Sequence, residues 1–151
     1  MTENIIIKPS VQKRFDSFMA HGRVLFFSAP CGFGKTTTAT NLLKPYKVRA
    51  LSADDVDFTV PLVPDGSWDV LLIDQFQFLK DTEQQALCEL IRNNPQSRFV
   101  FLSRGVPPGY LTPFQFSGLM LVFTAQDLLL DLSAIGKMLE TYGINASAAE
   151  L

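Results

Sequence analysis

The stretch Val24-Leu25-Phe26-Phe27-Ser28-Ala29-Pro30-Cys31-Gly32-Phe33-Gly34-Lys35-Thr36-Thr37 decides how this chain is read. An apolar run, Val24 to Phe27, enters a loop rich in glycine and closed by lysine, and a helix-compatible stretch, Thr37 to Leu43, follows. Strand, loop and helix in that order are the context in which such a loop wraps a phosphate, with backbone N–H groups and the positive end of the helix facing the anion. Gly32 and Gly34 let the backbone approach closely, Lys35 is expected to reach the β- and γ-phosphates, and the Thr36 hydroxyl to complete a Mg²⁺ shell. Gly32, Phe33, Gly34, Lys35, Thr36 and Thr37 together form the expected phosphate cradle. Ala29 stands where the usual pattern has glycine, a change that a negative φ tolerates. The motif implies binding of a nucleoside triphosphate.

The bulk properties agree. A chain of 151 residues is about one domain long, enough for a single three-layer core. It is 47% hydrophobic and 19% charged, with 13 phenylalanines, so part of its apolar surface is expected to face another domain. A net charge of −2 supplies no basic face for non-specific nucleic-acid contact. No apolar run is long enough to span a membrane and the N-terminus lacks a signal-peptide layout, so a cytoplasmic location is expected. Cys31 and Cys88 lack metal-ligand spacing, which argues against a zinc site or a disulfide.

Along the chain, strands and helices alternate. Ser10 is expected to cap a helix with Val11, Phe15, Phe18 and Met19 on one face and Gly22 at its end. Residues 24–29 read as a strand buried on both faces. The helix after the loop turns Ala39, Leu42 and Leu43 inward and stops before Pro45. Lys47 to Ser52 alternates as an edge strand does, and a turn-rich stretch, 53–67, follows. Trp68 to Asp74 is an apolar strand ending in a carboxylate. Thr82 and Gln85 read as a capping box for a helix carrying Ala86, Leu87, Leu90 and Ile91, ended by Asn93, Asn94 and Pro95. Arg98 to Ser103 and Leu119 to Phe123 complete five strands, which implies a mostly parallel sheet with helices on both faces. Thr124 to Asp127 starts a last helix, with Leu128, Leu132, Ile135, Met138, Leu139 and Tyr142 on one face and Gly143 at its close. Ser147-Ala148-Ala149-Glu150 then reads as another helix start, expected of a polypeptide that continues further. The bland alternative is a disordered tail.

Asp74, at the end of an apolar strand, is expected at the C-terminal edge of the sheet, where it could hold a water of the Mg²⁺ shell. The plain alternative is a cap on the following turn. The next residue is Gln75; an amide can orient a water but cannot take its proton, so hydrolysis is expected to be slow or absent. Arg104 follows an apolar strand and precedes a stiff loop, Gly105-Val106-Pro107-Pro108-Gly109, so it could read γ-phosphate charge; otherwise it makes a surface salt bridge. Asp54, Asp55 and Asp57 read as a solvated turn more readily than as a metal cluster. His21 sits at a helix end, where a cation suits the dipole, and Cys31 is a loop residue beside a helix N-terminus. Asn145-Ala146-Ser147 is a glycosylation sequon in form only.

Taken together, Phe27 to Thr37 resembles the "SAPAGFGKTT" loop of the STAND ATPases found at the N-terminus of large LuxR-type, maltose-regulator-like transcription activators. Arg49-Ala50-Leu51-Ser52-Ala53-Asp54 resembles that family's second strand and Leu71-Leu72-Ile73-Asp74 its Walker B strand. Leu102-Ser103-Arg104-Gly105-Val106-Pro107-Pro108 resembles its sensor segment, and Phe123 to Ile144 the helix opening its next, helical subdomain. The resemblance implies a P-loop domain over 1–124, the start of a helical subdomain over 125–151, and ATP or ADP with Mg²⁺ as ligands. It also implies a switch controlling the remaining domains of a transcriptional regulator, including a helix-turn-helix. Two departures stand against it. The family's Walker B usually reads Asp-Asp or Asp-Glu, against Asp74-Gln75, and the family usually inserts a helix where this chain has only 53–67. The expectation is a nucleotide-binding switch domain in which the cradle holds phosphate, Thr36 and Asp74 hold Mg²⁺, and Gln75 and Arg104 act on the terminal phosphate. The alternatives are a small phosphotransferase and a nucleotide-independent protein-interaction module.

Overall fold

The computed structural model describes residues 8–30, 34–60 and 68–128. Five strands build one sheet: β1 (Val24–Ser28), β2 (Val48–Ser52), β3 (Val70–Asp74), β4 (Arg98–Ser103) and β5 (Met120–Thr124). Their order across the sheet is β2-β3-β4-β1-β5, and every pairing is parallel. The helices are α1 (Pro9–His21), α2 (Lys35–Leu42), α3 (Asp81–Asn93), the short α4 (Thr112–Phe116) and α5, described over Ala125–Leu128.

Alternation along the central strands divides the core into two layers. Val24, Phe26, Leu71, Ile73, Phe99 and Phe101 pack with Leu87, Leu90 and Ile91 of α3. Leu25, Phe27, Val70, Leu72, Val100 and Leu102 pack on the other face with Val11, Phe15 and Phe18 of α1 and Ala39 and Leu42 of α2. The three-layer α/β sandwich expected from the sequence is therefore present, with the apolar helix positions turned inward as read.

Element ends differ from expectation by one or two residues. Ser10 does not cap α1: the helix begins at Pro9, whose fixed φ and missing N–H suit a first helical position, and Lys8 stands at the cap without a side-chain bond. Thr82 does not open a capping box either, because α3 already begins at Asp81 and Lys80 occupies its cap position. Its first turn carries Asp81 and Glu83, which suit the positive end of a helix. Glu83 Oε1 also accepts the Val60 N–H at 2.8 Å, fastening the strip after β2 to α3. At the other end of α3, Arg23 donates to the carbonyls of Ile91 and Asn94, both at 2.5 Å. β3 begins at Val70, two residues after the expected start; Trp68 is buried just before it, against Phe99. Gly22 does end α1, as expected, and a Cβ there would stand 2.2 Å from the Phe18 ring.

The helix start at Thr124 is found. Asp127 accepts from the Thr124 N–H at 2.8 Å and from its hydroxyl at 3.2 Å. The expected face from Leu132 to Tyr142, Gly143, the Ser147–Glu150 signature and Asn145 lie outside the described residues.

Candidate phosphate site at the strand tips

The register brings the C-terminal ends of the strands level, Ser28 beside Ser103 and Thr124, and Ser52 beside Asp74. That edge is where ligands bind in open parallel sheets, because each strand there hands over to a loop. β4 lies between β1 and β3, so the residue after β4 falls between the loop that follows β1 and the carboxylate that ends β3. Two strand spacings, about 10 Å, separate β1 from β3. A carboxylate at that distance suits contact with a loop-bound cation through a water.

Gly34 adopts φ 74° and ψ 29°, the left-handed conformation that glycine reaches without cost, and the chain turns there directly into α2. Among the described residues no side chain caps α2, and no acid sits in its first turn. The first N–H groups of a helix lack acceptors in a preceding turn, so the end of α2 is suited to an anion. Lys35 Nζ donates to the carbonyls of Ala29, at 2.6 Å, and Pro30, at 3.1 Å, which holds the ammonium across the mouth of the loop. Gly32, Phe33 and Cys31 lie outside the described residues.

A cavity of about 300 Å³ opens at this edge and is lined by Gly34, Lys35, Thr36 and Thr37 from the loop and α2, with Asp74, Gln75, Gln77 and Arg104 opposite. Every described member of the expected site therefore meets in one place. Asp74 is half-buried; its Oδ1 accepts the Gln75 N–H at 2.8 Å, so it does cap the turn, and among the described residues no hydrogen bond engages the other oxygen. The hydroxyl of Thr36 and this carboxylate are hard oxygen donors of the kind Mg²⁺ takes. Arg104 makes no surface salt bridge among the described residues; its guanidinium lies 5.8 Å from the centre of the Phe78 ring.

Gln75 has φ 52°, the one positive φ outside glycine among the described residues. The strain is held by its neighbour: Phe76 is buried, stacks on Phe101 at 4.3 Å and meets Phe26 edge-on at 5.7 Å. A 3-10 turn, Phe76–Phe78, follows, with Phe78 N–H bonded to the Gln75 carbonyl at 3.0 Å. Sequence reasoning missed Gln77. The signal available was two glutamines spaced by one residue in an otherwise aromatic run.

The acidic residues after β2 form a turn closed on itself. Asp54 accepts from the Ser52 hydroxyl, and Asp55 Oδ1 accepts the Asp57 N–H at 2.9 Å. No group of three or more metal-ligating side chains gathers among the described residues. Asp55 and Asp57 instead border a second, larger groove of about 780 Å³ between α2 and the edge strand β2, which also reaches Thr36 and Asp74. His21 lies in the last turn of α1, away from the site. The Cys88 thiol is buried in α3, and burial raises its pKa.

No family model matches the chain. No curated protein matches it either. Solved structures do, among them one described as the crystal structure of a DNA replication initiation factor. That structure is 19% identical with a TM-score of 0.61, and the match covers 99% of this chain and 57% of the other. At that identity the likeness is one of fold, and this chain spans little more than half the length of that protein. The fold, a five-stranded parallel sheet with helices on both faces, is P-loop NTPase-like. Among the described residues no helix is long and apolar enough to cross a membrane.

Proposed function

We propose that the chain is an ATP- and ADP-binding switch domain of a signal-transducing transcriptional regulator, with slow or absent hydrolysis. The observation that carries this reading is the single cavity in which Lys35 and Thr36, Asp74, Gln75 and Arg104 converge from three separate strand ends. The ammonium of Lys35 and the amides of the cradle bind the polyphosphate, and Arg104 stands where the terminal phosphate adds its charge. Thr36 and Asp74 would hold Mg²⁺, which would supply positive charge to offset that of the phosphates. Gln75 offers no proton acceptor of the strength of a carboxylate, which removes a contribution of roughly 10²–10⁴-fold to water attack. A nucleotide shifts a conformational equilibrium only through differential affinity, so Arg104 and the domains it communicates with supply the switching. Expected partners are the nucleotide and the remaining domains of the regulator. With a net charge of −2, this segment is not expected to contact nucleic acid directly.

Thermal-shift measurements with ATP and Mg²⁺ test the reading. Stabilisation of about 2.7 kcal/mol is expected at a hundredfold excess over the dissociation constant. Lys35→Ala should lose most of it relative to its own unliganded form; equal shifts in parent and variant would sink the proposal.

One observation favours a second reading. The 780 Å³ groove that shares Thr36 and Asp74 with the phosphate cavity is large enough to seat an acceptor molecule, as a small phosphotransferase requires. Turnover above about one per second in a coupled kinase assay would select it.

A further inference from the structure

Gln77 sits on the 3-10 turn between the tips of β3 and β4, and its amide is used at both ends. Its Oε1 accepts the backbone N–H of Arg104 at 3.2 Å, and its Nε2 donates to Gln75 Oε1 at 2.9 Å. A main-chain N–H can only donate. The direction of the whole relay is therefore set from Arg104: Gln77 must turn its oxygen to that N–H, so it presents its NH₂ to Gln75, and Gln75 must answer with its oxygen. The NH₂ of Gln75 is left over, with no acceptor among the described residues, on a side chain that lines the same cavity as Lys35 and Thr36.

We propose that Gln77 is a positioning residue that orients the Gln75 amide, so that Gln75 turns its oxygen to Gln77 and offers the phosphate cavity a hydrogen-bond donor. The inference rests on the nucleotide reading above and gives it a chemical direction. A donor suits the anionic oxygens of a γ-phosphate, which ATP has and ADP lacks.

The test uses the whole 151-residue chain. In ¹⁵N NMR spectra without nucleotide, the Gln77 side-chain NH₂ should exchange slowly with water and that of Gln75 quickly. Gln77→Glu replaces the donor by a carboxylate that accepts from both neighbours, so the Gln75 amide should turn over and its NH₂ become the protected one. Unchanged Gln75 signals in a folded variant would overturn the relay. Calorimetry with ATP–Mg²⁺ and ADP–Mg²⁺ forms the second arm. The preference for ATP should fall roughly tenfold in Gln77→Glu, the scale of a hydrogen bond to a charged oxygen. The same change in a Gln75→Leu background, where no amide is left to turn, should have little effect; an equal fall in both backgrounds would mean charge repulsion alone and defeats the proposal. Should Gln77→Glu fail to fold, Gln77→Met removes the relay without adding charge, and an unaltered exchange rate at Gln75 together with an unaltered ATP preference would overturn it. A parent chain that binds neither nucleotide defeats the functional reading, while the exchange rates still decide the orientation of Gln75.

Discussion

Gln75 and Gly34 both occupy the left-handed region, at φ 52° and 74°, for different reasons and with different consequences on substitution. At Gly34 a Cβ would meet nothing within 4 Å, so replacement is opposed by backbone conformation alone. Gly34→Ala should cost about 1 kcal/mol in urea denaturation, and Gly34→Asn clearly less, since asparagine tolerates this region. Gln75 carries a side chain in the same region, held there by the stacking of Phe76 on Phe101. Gln75→Val, β-branched in a left-handed position, should lower stability by about 1–3 kcal/mol in the same measurement. Gly34 was legible beforehand because phosphate loops need its freedom. The backbone of Gln75 was not, since nothing in Asp74-Gln75-Phe76 marks a left-handed residue until the aromatic stack that pins it is assembled.

At the level of elements, α1 is tied to the start of α5 by one cluster. Arg14 pairs with Asp127 at 2.7 Å, donates to the Val122 carbonyl at 3.2 Å and lies 4.9 Å from the centre of the Phe123 ring. Partial burial by itself would raise the Asp127 pKa, but hydrogen bonds from Thr124 and the Arg14 guanidinium outweigh it and hold the carboxyl below its usual range. A carboxylate depressed in the folded state contributes stability that is fully present above its unfolded pKa of about 3.9 and is lost as pH falls through the folded value. Denaturant titrations from pH 6 to pH 2 should therefore show a smaller acid loss in Asp127→Asn than in the parent; identical slopes would remove Asp127 from the acid response. The Thr124–Asp127 helix start was visible as a local pattern. Its ion pair was not, because Arg14 lies on another helix and only the docking of α1 beside β5 brings the charges together. The capping roles expected of Ser10 and Thr82 failed for a related reason: Pro9 and Asp81 can themselves begin a helix, and a short motif does not say which of several adequate starts is taken.

Across the whole molecule, the decisive arrangement is the strand order, which sets β4 between β1 and β3, the strand that ends in Asp74. Arg104 owes its place in the cavity to that order, so Arg104→Ala should leave ADP affinity nearly unchanged while lowering ATP affinity roughly tenfold or more, as expected for a lost contact to a charged group. Equal losses for both nucleotides by calorimetry would mean that Arg104 does not distinguish them. The sequence alone determined the five strands, the helices between them and the turn at Gly34 into α2, because periodicity, glycine positions and strand–loop–helix succession are local properties of a chain. Tertiary structure decided which strand tips adjoin, that Gln77 links Gln75 to the Arg104 backbone, and that a wide groove opens beside Thr36 and Asp74. These are relations between segments far apart in the chain, set by how the strands cross over and pack, and hydrophobic patterning within one segment carries no information about its neighbours in the sheet.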